Sequence, residues 1–600
     1  MVVDHAACQS LTAMFFDQAR GLDGRPLLWA KRDGRWRSLS WRETADAVLA
    51  LAGGLRALGL AAGDRVVLVS ENRPEWAVAD LAVMAAGGIT VPAYVTNTAA
   101  DHLHILNNSG ARFAIVSTRA LAEKLLAACV RANVPPTVIA IDPPRLAQSA
   151  GASLVSWSEA LALGAGHEET IRGQVDATRR ADTACVIYTS GTGGAPKGVM
   201  LSHGAILTNC AGAYRLLERL GMEDEVFLSF LPLSHSYEHT AGLYLPLSAG
   251  AQIYYAEGIE QLPSNLTEVS PTIMTAVPRL YETMRARILR GVQRQGNLQA
   301  KLFFAAVELG SRRIEKGRLS AAAALTDRAL DLLVRRKVRQ RFGGRLKALV
   351  SGGAPLAYDV GLFFTALGVR ILQGYGQTET APVVSCNPPG AVKLDTVGPP
   401  LAGVEVRIAD DGEICVRGEL VMTGYWNDAE ATRRAIGGDG WLHTGDIGEI
   451  DADGYIRITD RKKDIIVNSG GDNVSPQRIE GFLTLQPEIA QAMAYGDRRP
   501  HLVALVIPSQ DWAQGWAAGH GRPFDLAGLC QDPDFRRAIG DAIERVNRTL
   551  SSIEKIRRFS LSPEPFSIDN GMLTPTLKIR RHKIREVYGE TLAGLYEEKR

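Results

Sequence analysis

The sequence predicts an α/β protein built on mostly parallel sheets and divided into at least two domains. A chain of 600 residues is longer than one hydrophobic core usually serves. Residues 40–120 alternate amphipathic helices with short apolar strands, which is the pattern of parallel α/β folds. Two later segments break that alternation, one rich in short strands and one rich in basic helices. They indicate a β subdomain and a helical insert.

Short apolar runs bounded by turn residues mark the strands, and a helix is predicted around Ala45–Leu58. The predicted strands are Arg65–Val69, Phe113–Val116, Cys185–Tyr188, Ala251–Tyr255 and Leu346–Val350. From Gly398 to Ile458 the strands are separated by Asp-Gly turns at 411–412, 439–440 and 453–454, as in a compact β subdomain. The run Trp76–Val95 is the most apolar of the chain, but Asp80 and Pro92 favour a buried helix leading into a strand over a membrane span.

Residues 279–345 form the basic segment, which we call the insert. It holds 17 Lys/Arg and 5 Asp/Glu, a local charge of +12 in a chain of net charge +2, so the remainder carries about −10. Its Ala/Leu/Arg-rich composition predicts two or three helices. Such a charge can hold anionic membrane lipid or attract the phosphates of a ligand, although a merely solvated basic face has the same composition.

The seven cysteines are scattered, with no Cys-x-x-Cys pair, and the N-terminus has no apolar core of a secretory signal. These features favour a reducing compartment and a cytoplasmic protein, and they argue against a disulfide framework or a zinc site. A polar run begins at Arg461 and is followed by a Gly-rich turn and a new α/β pattern. The predicted domains are therefore 1–460, which contains the insert, and 461–600.

The strongest functional signal is the loop Tyr188-Thr-Ser-Gly-Thr-Gly-Gly-Ala-Pro-Lys-Gly-Val199. Glycines let backbone N–H groups converge on an anion, hydroxyls add donors, and Lys197 adds positive charge. It is not a Walker A loop, because Pro196 precedes the lysine and Gly198 follows it. A flexible polar loop between strands is the plain alternative, but this composition favours a phosphate site.

This loop resembles the Tyr-Thr-Ser-Gly-Thr-Thr-Gly-x-Pro-Lys-Gly motif of the adenylate-forming superfamily, which includes acyl-CoA synthetases, luciferases and peptide-synthetase adenylation domains. The resemblance implies a large AMP-binding domain, a small mobile C-terminal domain, and phosphate binding by Thr189, Ser190, Gly191, Thr192, Gly193 and Lys197. The chain departs from the motif at Gly193, where the family usually has a second Thr, so one phosphate-facing hydroxyl is lost.

Three further segments resemble the family's nucleotide motifs: Gln373-Gly-Tyr-Gly-Gln-Thr-Glu-Thr380, Trp441-Leu-His-Thr-Gly-Asp446 and Thr459-Asp-Arg-Lys-Lys-Asp464. A Tyr ring can stack on adenine, a Glu can hold Mg²⁺, and an Asp can accept two ribose hydroxyls. By resemblance, Tyr375 contacts the base, and Thr192 and Glu379 hold the metal. The other nucleotide-binding residues that it implies are Gly352, Gly353, Gly374, Gly376, Thr378, Asp446 and Arg461. Taken singly, an Asp in a glycine turn is more often a turn residue.

Leu573-Thr-Pro-Thr-Leu-Lys578 resembles the motif that carries the family's adenylation lysine. A carboxylate that attacks a phosphate brings two anions together, so a nearby cation lowers the barrier. The resemblance makes Lys578 catalytic together with Lys197, Thr192 and Glu379. It also makes Lys463 the hinge of the C-terminal domain and assigns Gly470 and Gly471 to the coenzyme A tunnel. A solvated tail lysine is the alternative for Lys578.

The insert, with Pro278-Arg-Leu-Tyr281 and Tyr495-Gly-Asp-Arg-Arg-Pro500, resembles the long-chain fatty acid–CoA ligase branch. The expected substrates are ATP with Mg²⁺, a fatty acid and CoA, with no nucleic acid partner and with possible peripheral contact at the inner membrane face. The segment around Leu231–Tyr237 is expected to border the acyl pocket, and His235 is given no catalytic role. The alternative function is a fatty acyl-AMP ligase that loads an acyl carrier protein.

Overall fold

The structure is a computed structural model that describes residues 3–143, 153–189, 195–294, 296–462, 464–469, 473–574 and 577–597. Helices and strands alternate over its first part, as the sequence predicts. The elements are α1 (Leu11–Leu22), β1 (Pro26–Arg32), β2 (Arg35–Ser40), α2 (Trp41–Ala57), β3 (Arg65–Val69), α3 (Pro74–Ala85), β4 (Ile89–Ala93), α4 (Ala99–Ser109), β5 (Phe113–Val116), α5 (Arg119–Cys129), β6 (Thr137–Ala140), β7 (Leu154–Ser156), α6 (Trp157–Leu163) and α7 (Glu168–Ala177).

The middle of the chain continues the same alternation up to the insert. Its elements are β8 (Thr183–Thr189), β9 (Lys197–Ser202), α8 (His203–Glu218), β10 (Val226–Ser229), α9 (Ser236–Glu238), a π-helical segment (His239–Tyr244), α10 (Leu245–Ser248), β11 (Gln252–Tyr255), α11 (Leu262–Val269) and β12 (Ile273–Ala276). The insert consists of α12 (Pro278–Gln293), α13 (Asn297–Lys316), α14 (Ala321–Leu330), a π-helical turn (Asp331–Arg335) and α15 (Arg336–Arg341). The last three are continuous, so the described part of the insert holds three helical rods.

The remainder comprises the end of the large sheets, the β subdomain and the C-terminal segment. Its elements are β13 (Ala348–Ser351), α16 (Tyr358–Ala366), β14 (Ile371–Gly376), a 3₁₀ turn (Thr378–Thr380), β15 (Val383–Cys386), β16 (Glu405–Ile408), β17 (Glu413–Arg417), β18 (Gly424–Tyr425), α17 (Ala429–Ala435), β19 (Leu442–Ile450), β20 (Ile456–Arg461), β21 (Ile466–Val467), β22 (Asn473–Val474), α18 (Pro476–Thr484), β23 (Ile489–Tyr495), β24 (Leu502–Pro508), α19 (Gln510–Gly519), α20 (Leu526–Leu529), α21 (Pro533–Asn547), β25 (Ile556–Leu561) and α22 (Arg581–Gly594).

Local sequence explains several of these boundaries. The helix predicted around Ala45–Leu58 is α2, which begins earlier because Ser40 and Glu43 form a capping box. Strand β3 is buried along almost its whole length, as is usual for strands covered on both faces of a parallel sheet. The five predicted strands are present, although β13 begins at Ala348 rather than Leu346. The apolar run Trp76–Val95 is the buried helix α3 followed by β4, as predicted.

Among the described residues the strands form two eight-stranded sheets, in the orders β15-β14-β13-β12-β10-β11-β1-β2 and β18-β9-β8-β4-β3-β5-β6-β7. Pairing inside both sheets is parallel, and antiparallel pairs occur at the edges: β1 with β2, β14 with β15, β8 with β9, and β9 with β18. The prediction of parallel-sheet layers is therefore confirmed. A shared core that includes Leu68, Trp76 and Tyr244 lies between these layers.

The β subdomain and the C-terminal segment follow the predicted pattern. The subdomain is an antiparallel sheet, β16-β17-β19-β20 among the described residues, and the glycines at 412, 440 and 454 have the positive φ that Asp-Gly turns require. The C-terminal segment has a sheet β23-β24-β25 and its own core, to which Ile479, Phe535 and Ile539 contribute. The boundary at 460/461 and the mobility of this segment remain predictions.

No helix in the described ranges combines the length and the apolar character that spanning a bilayer needs.

The helices of the insert attach to the large domain through a buried arginine. Arg335 donates to the carbonyl oxygen of Ala366 at 2.7 Å and to that of Ala306 at 2.8 Å, and it pairs with the Asp327 carboxylate. Only 1 % of Arg335 is exposed, so these partners replace its water.

We expect Arg335→Met to destabilise the insert by about 3 kcal/mol, because Oδ1 of the buried Asp327 carboxylate and three backbone carbonyl groups lose a donor. Hydrogen exchange of the amides in 321–341 should become faster, and the denaturation midpoint should fall. Arg336→Met is the matched control, since that side chain is exposed and has no ion pair among the described residues; its effect should stay within about 0.5 kcal/mol. Equal exchange rates in the two variants would contradict the anchoring role of Arg335.

Candidate active site

The ends of the predicted phosphate loop are held by an antiparallel strand pair. Thr189 is the last residue of β8 and lies opposite Lys197, the first residue of β9. Ser190, Gly191, Thr192 and Gly193 lie outside the described residues, and the roles assigned to them stay predictions. The loop therefore begins at the C-terminal end of the buried strand β8. The lysine that closes the loop directly faces the residue that opens it.

Helix α4 contacts the described residues at both ends of this loop, and no sequence motif indicated these contacts. The Tyr188 hydroxyl donates to Oδ1 of Asn108 at 2.6 Å, and the ring of His104 bonds through Nε2 to the Pro196 carbonyl oxygen at 2.9 Å. The backbone carbonyl oxygen of Asn108 also accepts the indole N–H of Trp426 at 3.1 Å. His104 and Asn108 carry no motif, and they become recognisable only when the sheet brings α4 beside the loop.

The second nucleotide motif supplies Tyr375, whose hydroxyl donates to Oδ2 of Asp446 at 2.6 Å. Oδ1 of the same carboxylate lies 3.3 Å from Nε of Arg461, its register partner across β19 and β20. Burial raises the pKa of Asp446, and Arg461 and the Tyr375 hydroxyl oppose that rise. Three residues predicted from separate motifs thus form one connected group, in which the ring of Tyr375 is tied by its hydroxyl.

A second group surrounds Glu379, in the 3₁₀ turn after β14. Oε1 of Glu379 accepts the Tyr425 hydroxyl at 2.9 Å, and Nζ of Lys197 lies 4.9 Å from the centre of the Tyr425 ring. Tyr425 reaches this place because the short strand β18 pairs with β9 beside the loop. Burial, followed by the Glu379 charge, raises the pKa of Tyr425. Sequence reasoning missed Tyr425, whose only signal is an aromatic pair with Trp426 beside turn residues.

Close packing accounts for Gly352, Gly374 and Gly376, and a φ of +81° accounts for Gly353. A Cβ at Gly376 would lie 1.9 Å from the Pro382 carbonyl oxygen across the β14–β15 turn. A Cβ at Gly352 would meet the Tyr237 ring at 3.1 Å. Gly374 and Gly353 lie in the same two segments, and Thr378 pairs its hydroxyl with that of Ser236 at 3.0 Å. These contacts explain the residue types, and nucleotide binding by these residues remains a prediction.

Lys578 comes from the C-terminal segment and lies within electrostatic range of Asp446 and Glu379 of the large domain. Its backbone N–H donates to Oγ1 of Thr574 at 3.0 Å, which fixes the start of the turn. Loss of water around its ammonium group, followed by repulsion from Arg461, lowers the pKa of Lys578 to about 8, while Asp446 and Glu379 act in the opposite direction. Part of the residue outside the ammonium environment stays exposed to solvent.

His235 lies within electrostatic range of Lys578 and is neutral. Burial, with a smaller contribution from the Lys578 charge, lowers the pKa of His235 to about 4. Its Nδ1 accepts the backbone N–H of Tyr237 at 3.1 Å, which is an N-cap interaction. This structural bond agrees with giving His235 no catalytic role, which remains a prediction.

A model of the AMP-binding enzyme family matches residues 15–426, and a model of the AMP-binding enzyme C-terminal domain matches residues 463–600. The chain belongs to the AMP-binding enzyme family. A relative in Mycobacterium tuberculosis, the long-chain-fatty-acid–CoA ligase FadD15, is 34% identical over 98% of this chain and 97% of its own length. The peroxisomal long chain acyl-CoA synthetase 6 of Arabidopsis thaliana is 32% identical over 94% of this chain and 82% of its own.

Solved structures of AMP-binding enzymes share the fold at lower identity. The didomain of a carboxylic acid reductase from Segniliparus rugosus, in complex with AMP, superposes with a TM-score of 0.74 at 20% identity, covering 99% of this chain and 83% of that one. The anthranilate CoA ligase AuaEII, in complex with anthranoyl-AMP, gives a TM-score of 0.72 at 19% identity, covering 98% and 100%. These likenesses establish the adenylate-forming fold.

In this member of the AMP-binding enzyme family, an apolar cavity adjoins the nucleotide motifs. The space inside it is about 40 Å³, and it is lined by Leu217, Phe227, Tyr237, Ala241, Ile273 and Cys386, among others. Tyr237 separates it from Gly352 and donates its hydroxyl to the Val350 carbonyl oxygen at 2.9 Å. The segment that the sequence predicted to border an acyl pocket therefore does border an apolar cavity.

The hinge residue Lys463 and the tunnel residues Gly470 and Gly471 lie outside the described residues. The residue before the predicted hinge, Lys462, is described and is held by two carboxylates. Nζ of Lys462 lies 2.6 Å from Oδ2 of Asp411 and 2.9 Å from Oε2 of Glu413, both in the β subdomain. The residue just before the predicted hinge is thus fastened to the large domain.

We expect Tyr375→Phe to weaken ATP binding roughly tenfold, since a hydrogen bond to a charged group contributes ~1.5 kcal/mol. The ring remains for stacking, but the Asp446 carboxylate loses its hydroxyl donor. Isothermal titration of ATP measures the effect. Tyr455→Phe is the control, because its hydroxyl donates to the Ala391 carbonyl oxygen at 2.7 Å, outside this group. Unchanged ATP affinity in Tyr375→Phe would show that the link to Asp446 is dispensable.

Proposed function

We propose that the chain is a long-chain fatty acid–CoA ligase. It would convert ATP, a fatty acid and CoA into acyl-CoA, AMP and pyrophosphate through an acyl-adenylate. The single observation that carries this proposal is the position of Lys578 within electrostatic range of Glu379 and Asp446, in a family whose relatives at 30–34% identity include long-chain fatty acid–CoA ligases. The apolar lining of the nearby cavity supports an aliphatic acid as the substrate.

In the first half-reaction the fatty carboxylate attacks the α-phosphorus of ATP, an O–P bond forms, and pyrophosphate leaves. Asp446, with Tyr375 and Arg461, would hold the ribose and fix the nucleoside. Negative charge grows on the bridging oxygen and on pyrophosphate, and Lys578 and Lys197 supply the opposing charge. A cation about 4 Å away is worth up to roughly 4 kcal/mol at an intermediate dielectric constant.

Mg²⁺ fits the donors that are present in the described part of the site. Glu379 offers a carboxylate with one oxygen bonded to the Tyr425 hydroxyl, and hard oxygen ligands are those that Mg²⁺ prefers. When bound there, with Thr192 as the proposed second ligand, the metal would neutralise phosphate charge. Lys197, which lies over Tyr425, would share that task.

In the second half-reaction the CoA thiolate attacks the acyl carbonyl carbon, a C–S bond forms, the C–O bond to AMP breaks, and the thiol proton passes to solvent. The proposal assigns the hinge of the C-terminal domain to Lys463 and the thiol path to Gly470 and Gly471. The clamp between Lys462 and the β subdomain supports a pivot immediately after it. Lys578 would leave the site in this step, because the acyl carbonyl has to face the thiol.

The proposed partners are small molecules, namely ATP, a long-chain fatty acid and CoA, without nucleic acid. We include peripheral contact of the insert (279–345) with a membrane, and a cytoplasmic location at the inner face of that membrane. The net charge of the insert, +12, supports the contact.

The direct test supplies purified protein with ATP, Mg²⁺, palmitate and CoA and follows AMP and palmitoyl-CoA. We expect both products in equal amounts. If palmitoyl-AMP accumulates with CoA but the acyl group passes to an acyl carrier protein that bears its phosphopantetheine arm, the enzyme is an acyl-AMP ligase. Failure to release AMP with any fatty acid would reject both functions.

Lys578→Ala should lower adenylate formation by about 10²-fold or more, because several kcal/mol of transition-state stabilisation would be lost. Pyrophosphate exchange measures this step. Transfer to CoA from supplied palmitoyl-AMP is the internal control, and it should fall much less. A variant with wild-type exchange would remove Lys578 from the mechanism.

The pH dependence tests the same residue. Protonated Lys578 is the active form, so its pKa of about 8 predicts full adenylation below that pH and a fall of about tenfold per unit above it. The profile of kcat/KM for ATP reports this group in the free enzyme. Lys578→Arg keeps its charge to much higher pH, so its profile should stay flat through this range whatever its absolute rate. A fall near pH 8 that persists in that variant belongs to another group.

A further inference from the structure

The outermost helix of the insert presents apolar side chains to solvent. In the continuous rod formed by α14, the π-helical turn and α15, Leu325 is 72% exposed, Leu332 65% and Leu333 54%. Their spacing of seven and eight residues places them along one side, two helical turns apart. Three large leucines on one helix face are unusual for a surface that meets only water.

The same side carries unneutralised positive charge. Arg328 comes three residues after Leu325, Arg336 four after Leu332 and Lys337 four after Leu333. At these spacings each cation lies next to its leucine on the helix surface. All three cations are exposed, and none has an ion pair within the described part of the chain. Four of the insert's five acidic residues are already paired with its own arginines: Glu282 with Arg279, Glu308 with Arg312, Asp327 with Arg313 and Arg335, and Asp331 with Arg339.

The opposite face of this rod is fastened to the protein. Leu330 and Asp327 are buried, and Arg335 donates to backbone carbonyl groups of α13 and α16. The leucines therefore do not rest on the protein's own core, and the anchored rod holds them outward together with Arg328, Arg336 and Lys337. The stripe formed by these three leucines and three cations is hereafter the apolar-basic stripe.

We propose that the apolar-basic stripe is a docking surface for an anionic membrane. The leucines would enter the boundary between headgroups and acyl chains, and the three cations would meet lipid phosphates, as in interfacial amphipathic helices. Nucleic acid or the phosphates of free CoA would satisfy the charge but leave the leucines in water. This inference deepens the membrane contact of the proposed function. It rests on that function in one respect: an enzyme that uses fatty acids gains from lying on a lipid surface.

The test is sedimentation of the full chain with vesicles of phosphatidylcholine, alone or mixed with phosphatidylglycerol, in low and high salt and without substrates. We expect binding to the mixed vesicles in low salt and its loss in high salt. The variant Arg328→Gln/Arg336→Gln/Lys337→Gln should bind the mixed vesicles more weakly by on the order of tenfold or more. The variant Leu325→Ser/Leu332→Ser/Leu333→Ser should also lose most of the binding.

The matched control is Val130→Ser/Val134→Ser/Ile259→Ser, which removes apolar residues of similar exposure (62%, 59% and 62%) outside the insert and should bind like wild type. Wild-type binding by the leucine variant, or no binding of the unmodified protein in low salt, would overturn the proposal. Gel filtration gives a further outcome that would overturn it. If the unmodified protein is a dimer, and the leucine variant is a monomer that still binds vesicles, the stripe holds a second copy of the chain.

Activity separates this proposal from the proposed function. Neither stripe variant touches the nucleotide residues, so AMP release with detergent-dispersed palmitate should match wild type. Vesicle binding by a protein that releases no AMP would reject the function and leave the docking surface standing. AMP release by a protein that never binds vesicles would reject the docking surface and leave the proposed function standing.

Discussion

The arrangement of this protein depends on one electrostatic constraint: a carboxylate and a phosphate repel each other, so a site that joins them needs concentrated positive charge. Lys197 and Arg461 belong to the large domain, and Lys578 comes from the C-terminal segment. Keeping them together without a ligand is unfavourable, and repulsion from Arg461 is one cause of the low pKa of Lys578. Asp446 and Glu379 compensate this charge in part, so the site is a balanced cluster that gains stability when anions enter.

The sheets determine where this cluster can form. Both large sheets are parallel inside, and their antiparallel edge pairs fold the chain back toward the site: β8 with β9 closes the loop, and β9 with β18 brings Tyr425 to Glu379. The β subdomain contributes Asp446 and Arg461 as register partners, so its register directly sets their distance. A slip of one residue would send one of these side chains to the opposite face of the sheet.

Much of this could be read from the sequence because the deciding information is local. The strand Arg65–Val69 is a short apolar run, the Asp-Gly turns require a positive φ, and Tyr375, Asp446 and Arg461 each lie in a distinctive motif. His104, Asn108 and Tyr425 could not be found in this way, since each acts through a partner 46 to 92 residues away in the chain, without a local pattern. The predicted start of β13, Leu346, was two residues too early, because apolar composition does not encode hydrogen bonding at a strand end.

The properties of Lys578 give a physical reason for two alternating steps under the proposed function. Its pKa of about 8 means that the empty site holds the ammonium only weakly. Bound ATP adds several negative charges, which must raise that pKa and attract the segment that carries the lysine, and by linkage the lysine strengthens nucleotide binding equally. Once pyrophosphate leaves, most of that charge is gone and the attraction falls. Under the proposed function, the departure of pyrophosphate would thus release the C-terminal segment, so the thiol step could follow without any separate signal.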